Sequence, residues 1–245
     1  MRTTKFIMFV LAVAVLFTGP ATVGMAMEHG QGGGHGMSMH HQHQMINHAL
    51  GMALQGSNLV MLGQMEMASG LDELTVDHGK KMLGNARSTM NETMSGDTMM
   101  KMHAAGTSPA DDPMMKYTHQ LGEAAMKVMD MLDKHADMKG HSMEVHHQHM
   151  LLNHALKMAI EGSDMIMTGQ MGMASGVDYH SDFHGKKMRK EARALWNEVM
   201  SGDYMMKMHG KGMSPDKHKG MAFTHELAEA QLKVMDLLEK MPSEM

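Results

Sequence analysis

Ninety-five consecutive residues of this chain occur twice. Residues 40–134 match residues 146–240 at a constant offset of 106 positions, without a gap, and 54 of the 95 pairs are identical. The chain must therefore be built from one folding unit used twice, of a length that ordinary domains reach. His40-His41-Gln42-His43 returns as His146-His147-Gln148-His149, and Gly63-Gln64-Met65 as Gly169-Gln170-Met171. The runs 78–82, 94–97 and 99–103 return as 184–188, 200–203 and 205–209. Each pair of positions records which residue stayed and which drifted.

Each unit reads as three long helical stretches and a short one. The first, 42–69, is rich in Ala, Leu, Met and Gln and stops at Gly70; the second, 76–94, stops at Ser95-Gly96. Asp97 stands where an N-cap would open a brief turn over 99–105. The third, 113–135, has Pro113 in its first turn, where the missing N–H costs nothing. With little β-branched alternation, the expectation is all-α: a tandem duplication of antiparallel helical bundle units of the four-helix type. Gly56, Gly63 and Gly70, matched by Gly162, Gly169 and Gly176, recur every seven residues. An interior glycine costs roughly 1 kcal/mol against alanine, so keeping them in both copies implies close approach of another backbone, or a kink.

The units are bracketed by segments of other kinds. Arg2 and Lys5, the apolar run 6–17, Gly19-Pro20 and the small-residue site Gly24-Met25-Ala26 have the layout of a cleaved secretory signal over 1–26. The run is shorter than the roughly 20 residues a membrane span needs, and no later segment is longer, so no span is expected in the mature chain. Residues 27–39 read as a flexible Gly/His/Met leader and 135–145 as a linker between the first unit (40–134) and the second (146–245). The expected destination is a bacterial periplasm.

Composition then narrows the chemistry. The chain holds 40 Met and 20 His and no Cys. Thioether and imidazole donors suit Cu(I), and by the same softness Ag(I), far better than the oxygen-seeking Mg, Ca or Mn. In an oxidising compartment thioethers also cannot be lost to disulfides. Against this stands methionine's other use, filling core gaps; with few other large apolar residues, core and ligand set must overlap. A net charge of -5 without a basic stripe, and 4% aromatics, exclude a nucleic-acid interface.

Helical spacing nominates ligands. On the third helix Met115, His119 and Met129, kept as Met221, His225 and Met235, share one face, whereas Met126 drifts to Leu232 and marks packing. The second helix offers His78, Met82 and Met94, with His184, Met188 and Met200; Met90, which becomes Trp196, reads as structural. The first offers His41, His48 and Met52, with His147, His154 and Met158, and beyond its glycines Met61, Met65 and Met67, kept as Met167, Met171 and Met173. The densest group is Met99, Met100, Met102 and His103, repeated as Met205, Met206, Met208 and His209; flanked by glycine and proline, it is poorly explained by core packing. Several Cu(I) ions per chain are expected, with weaker Cu(II) binding at the His40-His41-Gln42-His43 cluster. Zinc, which favours Cys and His, fits poorly.

The stretch 63–94, with its Gln-Met-Glu-Met-Ala core and Asp-His-Gly-Lys-Lys-Met helix start, resembles secreted ferritin-like helical proteins of bacterial envelopes, some Met- and His-rich and linked to copper tolerance. The resemblance implies a four-helix bundle and a periplasmic metal-binding role. A di-iron bundle uses helical Glu-x-x-His pairs. Glu92, Glu123, Glu198 and Glu229 lack the histidine three residues on, and Glu144-His147 has no counterpart in the first copy. Neither a nucleophile elbow, a His-Glu-x-x-His helix nor a P-loop is present, so no enzyme is expected. Three uses stay open: storage of several Cu(I) or Ag(I) ions, delivery of copper to an efflux pump or a cuproenzyme, and an oxidant sink whose methionines become sulfoxides.

Overall fold

The computed structural model describes residues 34–97, 99–100, 112–138 and 142–241. The expected signal segment, the leader up to residue 33, and the nominated ligands Met102 and His103 lie outside the described residues.

Every regular element among the described residues is a helix: α1 (Gly34–Gln64), α2 (Asp72–Ser95), α3 (Pro113–Asp137), α4 (Met143–Gln170), α5 (Asp178–Ser201), α6 (Asp203–Gly210) and α7 (Lys219–Glu239). The all-α expectation holds. The ends follow capping chemistry. Asp112 accepts from the Met114 and Met115 amides at 2.8 and 3.1 Å, with Pro113 behind it. At the matching position His218 Nδ1 accepts from the Met221 amide at 3.3 Å. Ser142 caps α4 through the Val145 amide. The third helix continues to Asp137, so His135 is a buried helical residue, and α1 already begins at Gly34.

One heptad stripe seats α1: Met39, His43, Ile46, Leu50, Ala53, Ser57 and Val60, stepping by four and three, are all buried. The matching stripe of α4 runs through Val145, His149, Leu152, Leu156, Ala159, Ser163 and Ile166. Helix α2 packs along α1, and α5 along α4, with backbones in near contact. A Cβ on Gly56 would meet the Gly79 carbonyl at 2.7 Å and one on Gly79 the Gly56 carbonyl at 2.5 Å; Gly162 and Gly185 repeat the crossing. Close approach is therefore what the helix-interior glycines of the period serve, whereas Gly70 and Gly176 stand in open turns at positive φ. Arg87 then ties α2 to Asp130 and Asp133 of α3 at 2.6 Å, and Arg193 ties α5 to Asp236 and Glu239 of α7 at 2.5 and 3.0 Å.

The two units are joined along their counterpart helices, α1 with α4 and α3 with α7. Asn47 Nδ2 donates to Asp164 Oδ1 at 2.7 Å, and Asn153 Nδ2 to Asn58 Oδ1 at 2.8 Å. Since 153 is 47 + 106 and 164 is 58 + 106, the contacts are reciprocal, the signature of a two-fold interface, here within one chain. A single core spans both units, from Ile46, Leu50, Met90 and Met129 to Leu156, Ile166, Val234 and Met235. No helix among the described residues is long and apolar enough to cross a membrane.

Candidate metal centre

Where α4 begins and α5 ends, the short helix α6 folds over the start of α7. Met205, Met208 and Met221 bury there with Val145, and Met200 and Met213 pack against them. His209 follows Met205 by four residues on α6, and His225 follows Met221 by four on α7. Residues four apart share a helix face, so each helix presents a thioether and an imidazole one turn apart. The two faces meet: Met205 and Met221 share one cluster, and His209 Nε2 and His225 Nε2 approach to 3.4 Å with rings nearly parallel at 22°. The two imidazoles are thus in contact, and the two methionines belong to one buried cluster.

The surroundings suit a soft cation. Burial, and then the neighbouring His209, lower the His225 pKa from its ordinary value, which favours the neutral imidazole that a metal ion needs. Gln148 Nε2 donates to Met205 Sδ at 3.4 Å and to the Val199 carbonyl at 3.2 Å, holding that thioether in place. Gln42 does the same in the first unit, reaching Met99 Sδ at 3.8 Å and the Thr93 carbonyl at 2.7 Å. Met99 and Met115, counterparts of Met205 and Met221, are likewise buried, and His119 is half-buried. The units differ at one wall. In the first, Gly122 leaves a notch that the Met94 thioether fills; in the second, Ala228 occupies that notch and Met200 packs towards the chamber.

Other nominated residues lie elsewhere. Met129, Met167 and Met235 are inside the shared core, and Met61 is fully buried. Met52, Met94, Met158 and Met171 pack at its edge, while Met65, Met82 and Met188 are half-buried. Met67, Met100, Met173 and Met206 are exposed, as are His41, His48, His78, His147, His154 and His184. The run His40-His41-Gln42-His43 divides between two faces: His41 faces solvent, and His40 and His43 are buried.

Those buried histidines escaped the reading of spacing. His43 Nε2 and Thr118 Oγ1 share a 2.6 Å hydrogen bond, and burial, reinforced by His40, lowers the His43 pKa to about 4. In the second unit His149 Nε2 lies 2.7 Å from Thr224 Oγ1 and its Nδ1 3.0 Å from His135 Nε2, with His146 and Phe223 against the same rings. Stepping back by four and three from Leu50 and Ile46 reaches His43 and Met39, so the signal was there. Met213 carried none, because the first copy has Thr107 in its place. Among the described residues no group of three or more His, Asp or Glu side chains is arranged to hold a metal ion.

Comparison with protein-family models, with curated proteins and with solved structures finds no match.

Proposed function

We infer that this chain binds Cu(I), and with the same ligands Ag(I), and that its use is to sequester several such ions in the periplasm. The supporting observation is the meeting of two Met-His pairs, Met205 with His209 and Met221 with His225, at a 3.4 Å approach of imidazole nitrogens. Thioether and neutral imidazole match a soft monovalent ion that accepts low coordination numbers. Met200, Met208 and Met213 supply further sulfur around it. The first unit carries the counterparts Met99, Met115 and His119, the two methionines buried and the histidine half-buried. The chain binds and holds; it does not transform a substrate.

Titration of the full chain with Cu(I) against a competing chelator tests the reading by stoichiometry. Several tight equivalents support storage, one or two would favour delivery to an efflux pump or cuproenzyme, and none would leave the oxidant sink. The double variant Met205→Leu with Met221→Leu keeps apolar volume but removes two sulfurs, and should lose at least one tight equivalent. Thioether carries no proton to displace at ordinary pH, so part of the Cu(I) capacity should survive at pH 5 while the imidazole-dependent part falls. Complete loss between pH 7 and pH 5 would contradict a sulfur-based site.

A further inference from the structure

Helix α4 also carries a set of donors on its outer face. His147, Met150 and His154 follow at spacings of three and four, which puts them on one side of the helix over two turns. His147 and His154 are exposed, and Met150 is half-buried between them. With Leu151, and with Asn58 of α1, they line an open groove of about 560 Å³. Packing does not account for the imidazoles. The stripe that seats α4 passes through Val145, His149, Leu152 and Leu156, and His147 lies about 200° from His149 at 100° per residue.

The first unit carries the same pattern with its sulfur moved by one residue. On α1, His41 and His48 are exposed and Met45 lies between them, half-buried, at spacings of four and three. The position matching Met150 is Gln44, and the one matching Met45 is Leu151. The two copies therefore differ at both central positions, yet each keeps one thioether between two solvent-facing imidazoles seven residues apart.

We propose that His147, Met150 and His154 form a second, solvent-facing site for Cu(I) or Ag(I), separate from the chamber at Met205 and Met221. Two imidazole nitrogens and one thioether are a three-donor set for a soft d¹⁰ ion, and the sulfur disfavours the hard divalent cations that seek oxygen. The groove admits the ion with part of its water shell, which the three donors then replace. No residue is shared with the buried centre, so the site stands whether or not that centre binds.

The test uses the full chain labelled with ¹³C at the methionine methyl groups and titrated with silver nitrate. The Met150 resonance is identified by its absence in Met150→Leu, and those of Met205 and Met221 in the same way. The expected result is that the Met150 methyl moves on addition of Ag(I), and that this movement is lost in the double variant His147→Asn with His154→Asn. Both substitutions are on exposed side chains, and an unchanged thermal transition would show the fold intact. A stationary Met150 methyl, or one that moves equally in the double variant, overturns the proposal. Should Met205 and Met221 stay still while Met150 moves, the buried centre fails and this site remains.

Discussion

Single buried polar groups set much of how this molecule responds to pH. Asp164 stands where the first unit has Asn58, and burial pushes its pKa up to about 6 although Asn47 donates to it. Between its unfolded value near 3.8 and 6 the folded state holds more protons than the unfolded, so the contribution to stability falls as pH rises through that window. Asp164→Asn, which copies the first unit, should raise unfolding free energy at pH 7 by about 1–3 kcal/mol and change little near pH 3.5. Chemical denaturation at both pH values checks this, and an equal gain at both would point to some other cause. His43 works in the opposite direction. Its folded pKa of about 4 lies below the unfolded 6.5, so the unfolded state takes up the proton first and stability drops as pH falls from 6.5 towards 4. Replacing it by leucine should flatten that part of the pH–stability curve by roughly 3 kcal/mol. A curve as steep as that of the parent would mean the charge cost is carried elsewhere.

Helix crossings depend on where the chain can bring two backbones together. Gly79 faces the Gly56 carbonyl of α1, with Val60 beside it, whereas Gly84, five residues along the same helix, has nothing within 4 Å of an added Cβ. Gly79→Ala should therefore destabilise by about 1–3 kcal/mol, the usual cost of forcing atoms into a packed contact. Gly84→Ala should stabilise by roughly 0.5–1 kcal/mol through helix propensity alone; the second unit already has Lys190 there. Thermal unfolding of the two variants decides, and the same sign for both would refute the crossing. Much of this level was legible beforehand. The helices, their glycine period and the Met-His pairs at spacing four are local patterns, and spacing four is enough to place Met205 with His209 and Met221 with His225. What the spacing of the Met and His residues taken by themselves could not give was which of two adjacent helical faces turns inward. His41 and His48 lie one face away from His43 and look equally periodic, and only the position of Ile46, Leu50 and Ala53 on the neighbouring stripe separates them. Nor could it show that the two pairs meet, because that depends on α6 folding over the start of α7.

At the scale of the whole molecule, the two units behave as the halves of a dimer written in one chain. The reciprocal pairs Asn47 with Asp164 and Asn153 with Asn58 sit in a seam between α1 and α4, and Gln231 adds a 2.8 Å hydrogen bond to Asn153 that the first unit lacks, having Ala125 in that place. Apolar side chains from both units form one core around this seam. A buried surface shared in this way gives neither half a complete core of its own, and unfolding should therefore be a single cooperative event. Trp196, the chain's one tryptophan, lies on α5 in the second unit, against the small cluster of Leu152, Val199 and Ala228 and against the shared core. Trp196 belongs to the second unit, while Gly79→Ala alters a helix crossing within the first. In a denaturant titration, the midpoint read from Trp196 fluorescence should shift in that variant by as much as the midpoint read from helical circular dichroism. Two independent units would give a different result: the fluorescence midpoint would stay at the parent value while half of the dichroism moved. Ag(I) or Cu(I) bound at Met205 and Met221 should, by the same coupling, raise the midpoint seen by both probes, since an ion held only by the folded state stabilises every part that unfolds with it.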